Sequence, residues 1–332
     1  MIRTDREPSG GLCPGLAAVF RAEVLAARLE GGLRADRDLA ALWRAIAGVQ
    51  EACASAWLED RPVSPADLLT RSFRRQMGDP ERDRAALMAT GLLRGLHSPG
   101  ALEADTGAVL TRIWRLAGDR GARPFEAADH RAVAAALTRA DSPILGAVAV
   151  AQLVRAATEA RAPAAERLAF VAADHALRGS GRFMPGTVEP HALVAAPRGA
   201  WVVQPSLALV DNGFRLWSVT SPAALTDLIA GLVHTLERGL GALPMLRRWL
   251  AQMRAARRGE HGASRLPDLL DLLSSMPIVT GAAVADRLRI TPRGAQKLID
   301  RAVGQGVLVK ITPRATYRAW AVPPLAAMIG RG

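Results

Sequence analysis

The chain has 332 residues, 43 Lys/Arg against 31 Asp/Glu and a formal net charge of +12; half of it is hydrophobic and only 4% is aromatic. That length holds about two domains with a sizeable core, and the Ala-, Leu- and Arg-rich mixture favours helices. Two cysteines, Cys13 and Cys53, in no metal spacing exclude a disulfide scaffold and point to a reducing, cytoplasmic setting.

The N-terminus, MIRTDREPSGG, has no apolar stretch of signal-peptide type and reads as a flexible arm over 1–14. No run of about 18 apolar residues occurs, so no membrane span is expected. Apolar residues recur at helical spacing over 15–30 (Leu16, Val19, Phe20, Val24, Leu25, Leu29) and 38–58 (Leu39, Leu42, Trp43, Ile46, Val49, Cys53, Trp57). Ser64-Pro65 supplies an N-cap and a first-turn proline for a helix through Phe73. Further helices are predicted over 79–96, 100–115, 126–139, 143–161 and 163–178, with a break at GDRGARP (118–124). Residues 179–217 turn Gly- and Pro-rich and read as an irregular stretch, with Trp201 and Trp217 lining a pocket or packing. Two more helices are predicted, from Ser221-Pro222 to Gly239 and from Pro244 to Arg258, the second opening a basic connecting segment over 246–264.

The last quarter differs in charge. From Arg247 onward there are fifteen Lys/Arg against five Asp/Glu, whereas residues 1–246 hold 28 against 26; both lysines, Lys297 and Lys310, lie in the C-terminal part. A localised basic module fits a polyanionic partner, and the helix that precedes it belongs to the same basic run. Within this module the pattern over 265–332 is that of a winged helix-turn-helix. Leu266, Leu269, Leu270, Leu272 and Leu273 stripe a first helix that Pro277 stops. Thr280 caps a short helix over 281–288, with Val284 and Leu288 inward, and Arg289-Ile290 form the turn. Thr291-Pro292 starts a second helix running to about Gln305, with Ala295, Leu298, Ile299, Ala302 and Val303 inward and Gly306 behind its end. Strands over 307–311 and 316–322 then make a hairpin with Arg314 near its tip.

In such a motif the N-terminal half of the second helix meets base edges. Arg293, Gln296 and Lys297 have the side chains that read G or A there. Thr291, Arg301, Arg314 and Arg318 complete the expected DNA contacts, the arginines on phosphates. The expected partner is double-stranded DNA, bound by a homodimer because one reading helix makes a weak specific site. The opposing reading of the same motif is a packing or dimerisation domain.

Two N-terminal segments carry a resemblance. EACASAWLEDRPVSPADLL (51–69) resembles the N-terminal helical segment of Fic-type proteins, and SPILGAVAVAQLVRA (142–156) resembles the helix that leads into their active-site loop. The chain as a whole is similar to a family of bacterial, often plasmid-borne proteins of unknown function with a C-terminal helix-turn-helix DNA-binding domain. The resemblance implies a mainly α fold, with a Fic-like helical bundle over 15–245 followed by the winged helix-turn-helix and its small β-hairpin. Active Fic enzymes need a His as general base and a Gly-Asn-Gly-Arg phosphate cradle. Here Ala157 stands at the His position and Ala162-Pro163-Ala164-Ala165 at the cradle, so the resemblance implies a catalytically degenerate domain. A lookalike, His175 through Arg182, is one residue short and lacks the Asn. The Fic inhibitory pattern is nearly present as Ser55 to Glu59, but Asp60 departs from it.

The histidines at 97, 130, 175, 191, 234 and 261 are scattered, so neither a metal site nor a cofactor is expected. The reading is a transcriptional or plasmid-linked regulator, not an enzyme. The alternatives are a divergent nucleotide transferase of AMPylating type that uses the 175–182 loop, and an antitoxin-like module that binds a protein partner.

Overall fold

The computed structural model describes residues 14–58, 60–65, 67–68, 79–96, 102, 104–117, 125–139, 142–158, 165–177, 204–211, 222–258, 264–312 and 318–329. Several expectations fall outside them: the arm through residue 13, the helix beyond residue 68, the 118–124 break, Glu59, most of the irregular stretch with Trp201 and Trp217, and Arg314. Among the described residues there are thirteen helices and three short strands, and no helix is long and apolar enough to cross a membrane.

The helices are α1 (Pro14–Arg34), α2 (Arg37–Leu58), α3 (Pro80–Leu96), α4 (Thr106–Ala117), α5 (Ala127–Arg139), α6 (Pro143–Thr158), α7 (Ala165–Leu177), α8 (Pro205–Asp211) and α9 (Pro222–Arg258). Then follow α10 (Leu266–Ser275), β1 (Ile278–Thr280), α11 (Gly281–Leu288), α12 (Pro292–Gly304), β2 (Val309–Lys310), β3 (Ala319–Ala321) and α13 (Pro323–Ile329). The strands form one antiparallel sheet in the order β1-β3-β2. Val279 faces Trp320 in one pair, and Lys310 faces Trp320 in the other.

Helix α2 is the centre of the body. Its apolar face (Leu39, Leu42, Trp43, Ile46, Val49) is buried, and α1, α3, α8, α9 and α10 all pack against it. Helix α1 lies along α9, where Gly239 lets the helices close: a β-carbon there would sit 3.0 Å from Leu29 of α1 and 2.8 Å from the Trp43 ring of α2. Helices α5, α6 and α7 form a second layer.

The predicted segments over 15–30, 38–58, 79–96, 126–139, 143–161 and 163–178 are helical over nearly all their described residues, while residues 159–161, 163–164 and 178 lie outside those described and helix 100–115 begins only at Thr106. Four expectations need correction. The break expected between Gly239 and Pro244 is absent, and α9 runs 37 residues with Pro244 inside it. Proline there removes one helical hydrogen bond and costs about 3 kcal/mol, but Leu243, Leu246, Trp249 and Leu250 on either side are buried and hold the chain in line. Residues 246–258 are therefore the last turns of a packed helix. Within the irregular stretch, residues 205–211 form α8. The hairpin becomes a three-stranded sheet, because β1 adds to it. Val303, expected inside, is 38% exposed.

Candidate nucleic-acid interface

Helix α10 buries Leu266, Leu269, Leu270 and Leu273 against α2 and α9. It ends at Met276, whose N–H closes onto the Leu272 carbonyl, and Pro277 follows. Three β-branched or aliphatic residues then extend as β1, and the last of them changes role. Thr280 is extended (φ −114°, ψ 159°) and its Oγ1 accepts the Ala283 N–H at 3.2 Å, which starts α11. Helix α11 buries Ala283, Val284 and Leu288 and stops at Arg289, which takes a left-handed conformation (φ 52°, ψ 49°). The Ile290 N–H returns to the Ala285 carbonyl at 3.0 Å, so Ile290 is drawn against the core. Arg265 of the segment before α10 donates to the Leu288 carbonyl at 2.7 Å, which closes the same helix end.

Thr291 repeats the device of Thr280. It is extended, its Oγ1 accepts the Gly294 N–H at 3.1 Å, and Pro292 occupies the first helical position. Ala295, Ile299 and Ala302 face the core. At the far end Gly306 has φ +69°. The Val307 N–H reaches the Ala302 carbonyl at 2.9 Å, and the Gly306 N–H reaches the Val303 carbonyl at 2.9 Å. This is the paired helix stop that a left-handed glycine permits.

These two caps place Arg293, Gln296, Lys297, Asp300 and Arg301 along one outer face, since residues three and four apart are neighbours on a helix. Arg293, Lys297, Asp300 and Arg301 are exposed and Gln296 is half-buried. Gln296 donates from Nε2 to Asp300 Oδ1 at 2.7 Å. Thr291 is exposed with its oxygen engaged in the cap. Arg318 is exposed at the start of β3; Arg314 lies outside the described residues. The sequence reading passed over Arg287, Arg289 and Lys310, all exposed. Arg287 and Arg289 sit at the end of α11 and in the turn, and Lys310 on the edge strand β2. Their signal was present in the spacing: Arg287 lies between the inward Val284 and Leu288 positions.

The cations before α10 behave differently. Arg254 donates to both Asp36 oxygens at 3.1 and 3.0 Å and to Asp38 at 2.6 Å. Partial burial alone would raise the Asp36 carboxyl, but hydrogen bonds from Arg254, Leu39 and Asp38 outweigh it and hold it below its usual value. Arg257 pairs with Asp271 at 2.6 Å, and Arg247 donates to the Gly32 carbonyl at 3.2 Å. The C-terminal half of α9 thus directs three of its cations onto the protein itself, and the positive face lies on α11, α12 and the sheet.

Residues 266–322 match the family of HTH DNA binding domains. No curated protein matches the chain. The match opens at the first residue of α10 and closes just after β3, so it spans the three helices and all three strands just described. The chain carries a helix-turn-helix DNA-binding domain at its C-terminal end.

Proposed function

We propose that the protein is a sequence-specific regulator that binds duplex DNA, with α12 in the major groove and the β2–β3 hairpin as a wing on the flanking backbone. The observation that carries this reading is the outer face of α12, where Arg293, Gln296 and Lys297 stand exposed or half-exposed in the first half of a helix capped at Thr291. These are the side chains that form hydrogen bonds with purine edges. Arg289, Arg301, Lys310 and Arg318 surround them as phosphate contacts. In this reading two copies bind, one to each half-site, and sedimentation of the free and DNA-bound chain measures that stoichiometry.

The body of the protein is, in the same proposal, a Fic-like domain without the catalytic loop. The buried Ser55 at the end of α2 and the apolar α6 are compatible with that descent. The nucleotide-transferase alternative needs His175 at a loop that meets substrate. His175 instead lies within α7, 1% exposed, its Nε2 2.9 Å from the Gly95 carbonyl oxygen, so this placement favours the regulator.

Fluorescence anisotropy with duplex DNA across a salt series tests the reading. Binding should weaken steeply with salt, as counterion release requires. Arg293→Ala should cost about 1–3 kcal/mol on a selected site, whereas Arg318→Ala should weaken all sequences alike and lower the salt slope by about 1. Absence of binding at low salt would sink the proposal.

A further inference from the structure

The α12 face contains one acidic residue where a DNA-binding surface gains nothing from negative charge. Asp300 lies one turn beyond Gln296, exposed, and accepts its Nε2 hydrogen at 2.7 Å. An ionised carboxylate only accepts hydrogen bonds. The amide group that faces Asp300 is therefore the NH2, and the orientation of the Gln296 head is set by chemistry. At the other end of the head, Oε1 points toward the start of α11. There Gly281 has no side chain to cover it; a β-carbon at that position would lie 3.9 Å away.

We infer that Asp300 is a positioning residue that fixes Gln296 to read an adenine, an inference that rests on the DNA-binding reading above. The geometry required is that Asp300 takes the Nε2 hydrogen trans to Oε1, which leaves the hydrogen cis to Oε1 and Oε1 itself together on one edge of the amide. That edge is a donor beside an acceptor, the complement of adenine N7 and N6–H2 in the major groove. A freely turning amide presents the reverse order as often and pairs as well with other edges. Asp300 exchanges attraction for phosphate for a fixed base preference, so affinity and specificity move in opposite directions when it is removed.

The test uses the full chain. A duplex site is selected from a randomised library, and each base is then varied while binding is measured by anisotropy at fixed salt. The wild-type chain should prefer adenine over the other bases at one position of each half-site by ~10-fold or more, within the range of one good bidentate pair. Gln296→Ala should abolish the preference at that position alone. Asp300→Ala should bind random DNA more tightly, through loss of a negative charge, while its adenine preference falls severalfold. Asp300→Glu, which restores an acceptor that cannot donate, should recover part of the preference, whereas a residue with only a structural role would not show this split. Tight, salt-dependent binding with no adenine preference dependent on Gln296 would overturn this inference and leave the DNA-binding proposal standing. An Asp300→Ala variant that keeps the full adenine preference would do the same. Failure of the wild-type chain to bind any duplex would overturn both.

Discussion

Arg289 holds φ 52° and ψ 49° in the turn between α11 and α12, a left-handed conformation that costs an L-residue roughly 1–2 kcal/mol. Glycine would adopt it freely, and glycine already does this work after α12, at Gly306. The arginine is exposed and lies one residue before Ile290, which packs on the core. The turn is thus held by Ile290 and the backbone, and the Arg289 side chain is left to face solvent next to the Thr291 cap. Arg289→Gly should raise stability by about 0.5–1 kcal/mol, the relief of the left-handed strain less the greater freedom of glycine in the unfolded chain. Chemical denaturation measures it. In the same variant DNA affinity should fall and the salt slope should drop by about 1 if the guanidinium meets a phosphate. A variant more stable and equally tight would assign the arginine no part in binding.

Elements were legible where a local signal names their start or stop. Thr280 and Thr291 announced α11 and α12, and both cap as expected. Pro244 misled because a proline carries a local penalty whatever its surroundings, and only the packing of Leu243, Leu246 and Trp249 shows that the penalty is overcome. Strand β1 was missed because three residues are too few for a period, although Ile278-Val279-Thr280 are all β-branched. Of the interface, the residues on the α12 face followed from periodicity. The Gln296–Asp300 contact did not, since spacing shows that two side chains can meet but not which hydrogen bond they make. Helix α8 was unreadable for a further reason: its anchor lies 155 residues earlier in the chain. The Glu51 carboxylate accepts the N–H groups of Ser206 at 2.7 Å and Leu207 at 3.1 Å. Burial pushes this carboxyl up to about 7; the hydrogen bonds at α8 hold it back and the charge of Asp174 adds to the rise. A carboxyl raised in the folded state binds more protons there than in the unfolded chain, so stability is lost as pH rises from about 4.5 to about 7. Glu51→Gln should flatten that part of the profile, by about 3 kcal/mol at most. Urea denaturation at pH 5 and pH 7.5 compares the two chains, and identical pH dependence would mean that Glu51 does not titrate in this window.

At the scale of the molecule, α9 decides how the DNA-binding domain is carried. Its C-terminal half touches both parts of the protein. Arg254 fastens it to Asp36 and Asp38 at the start of α2. On the other side the Trp249 indole N–H donates to the Val307 carbonyl at 3.0 Å, and Gln252 donates to the Gln305 carbonyl at 2.6 Å. Both acceptors belong to the segment that ends α12. One apolar cluster continues from Leu29 and Trp43 through Trp249 to Ile299 and Trp320. The α12 helix is therefore hydrogen-bonded to α9 at its C-terminal end, while Arg293 and Lys297 on the outer face of its N-terminal half are exposed. Helix α9 thus holds α2 through Arg254 and the end of α12 through Trp249 and Gln252. Trp249→Phe keeps the ring in the core but removes the donor, leaving the Val307 carbonyl buried with one partner fewer, at a cost of about 1–3 kcal/mol. Hydrogen exchange locates that cost. In the variant the amides at the C-terminal end of α12 should exchange faster by a larger factor than those of α2, because α12 loses its anchor first. Unchanged protection in α12 alongside a general loss of stability would show that Trp249 acts only through its bulk and not by anchoring the end of α12.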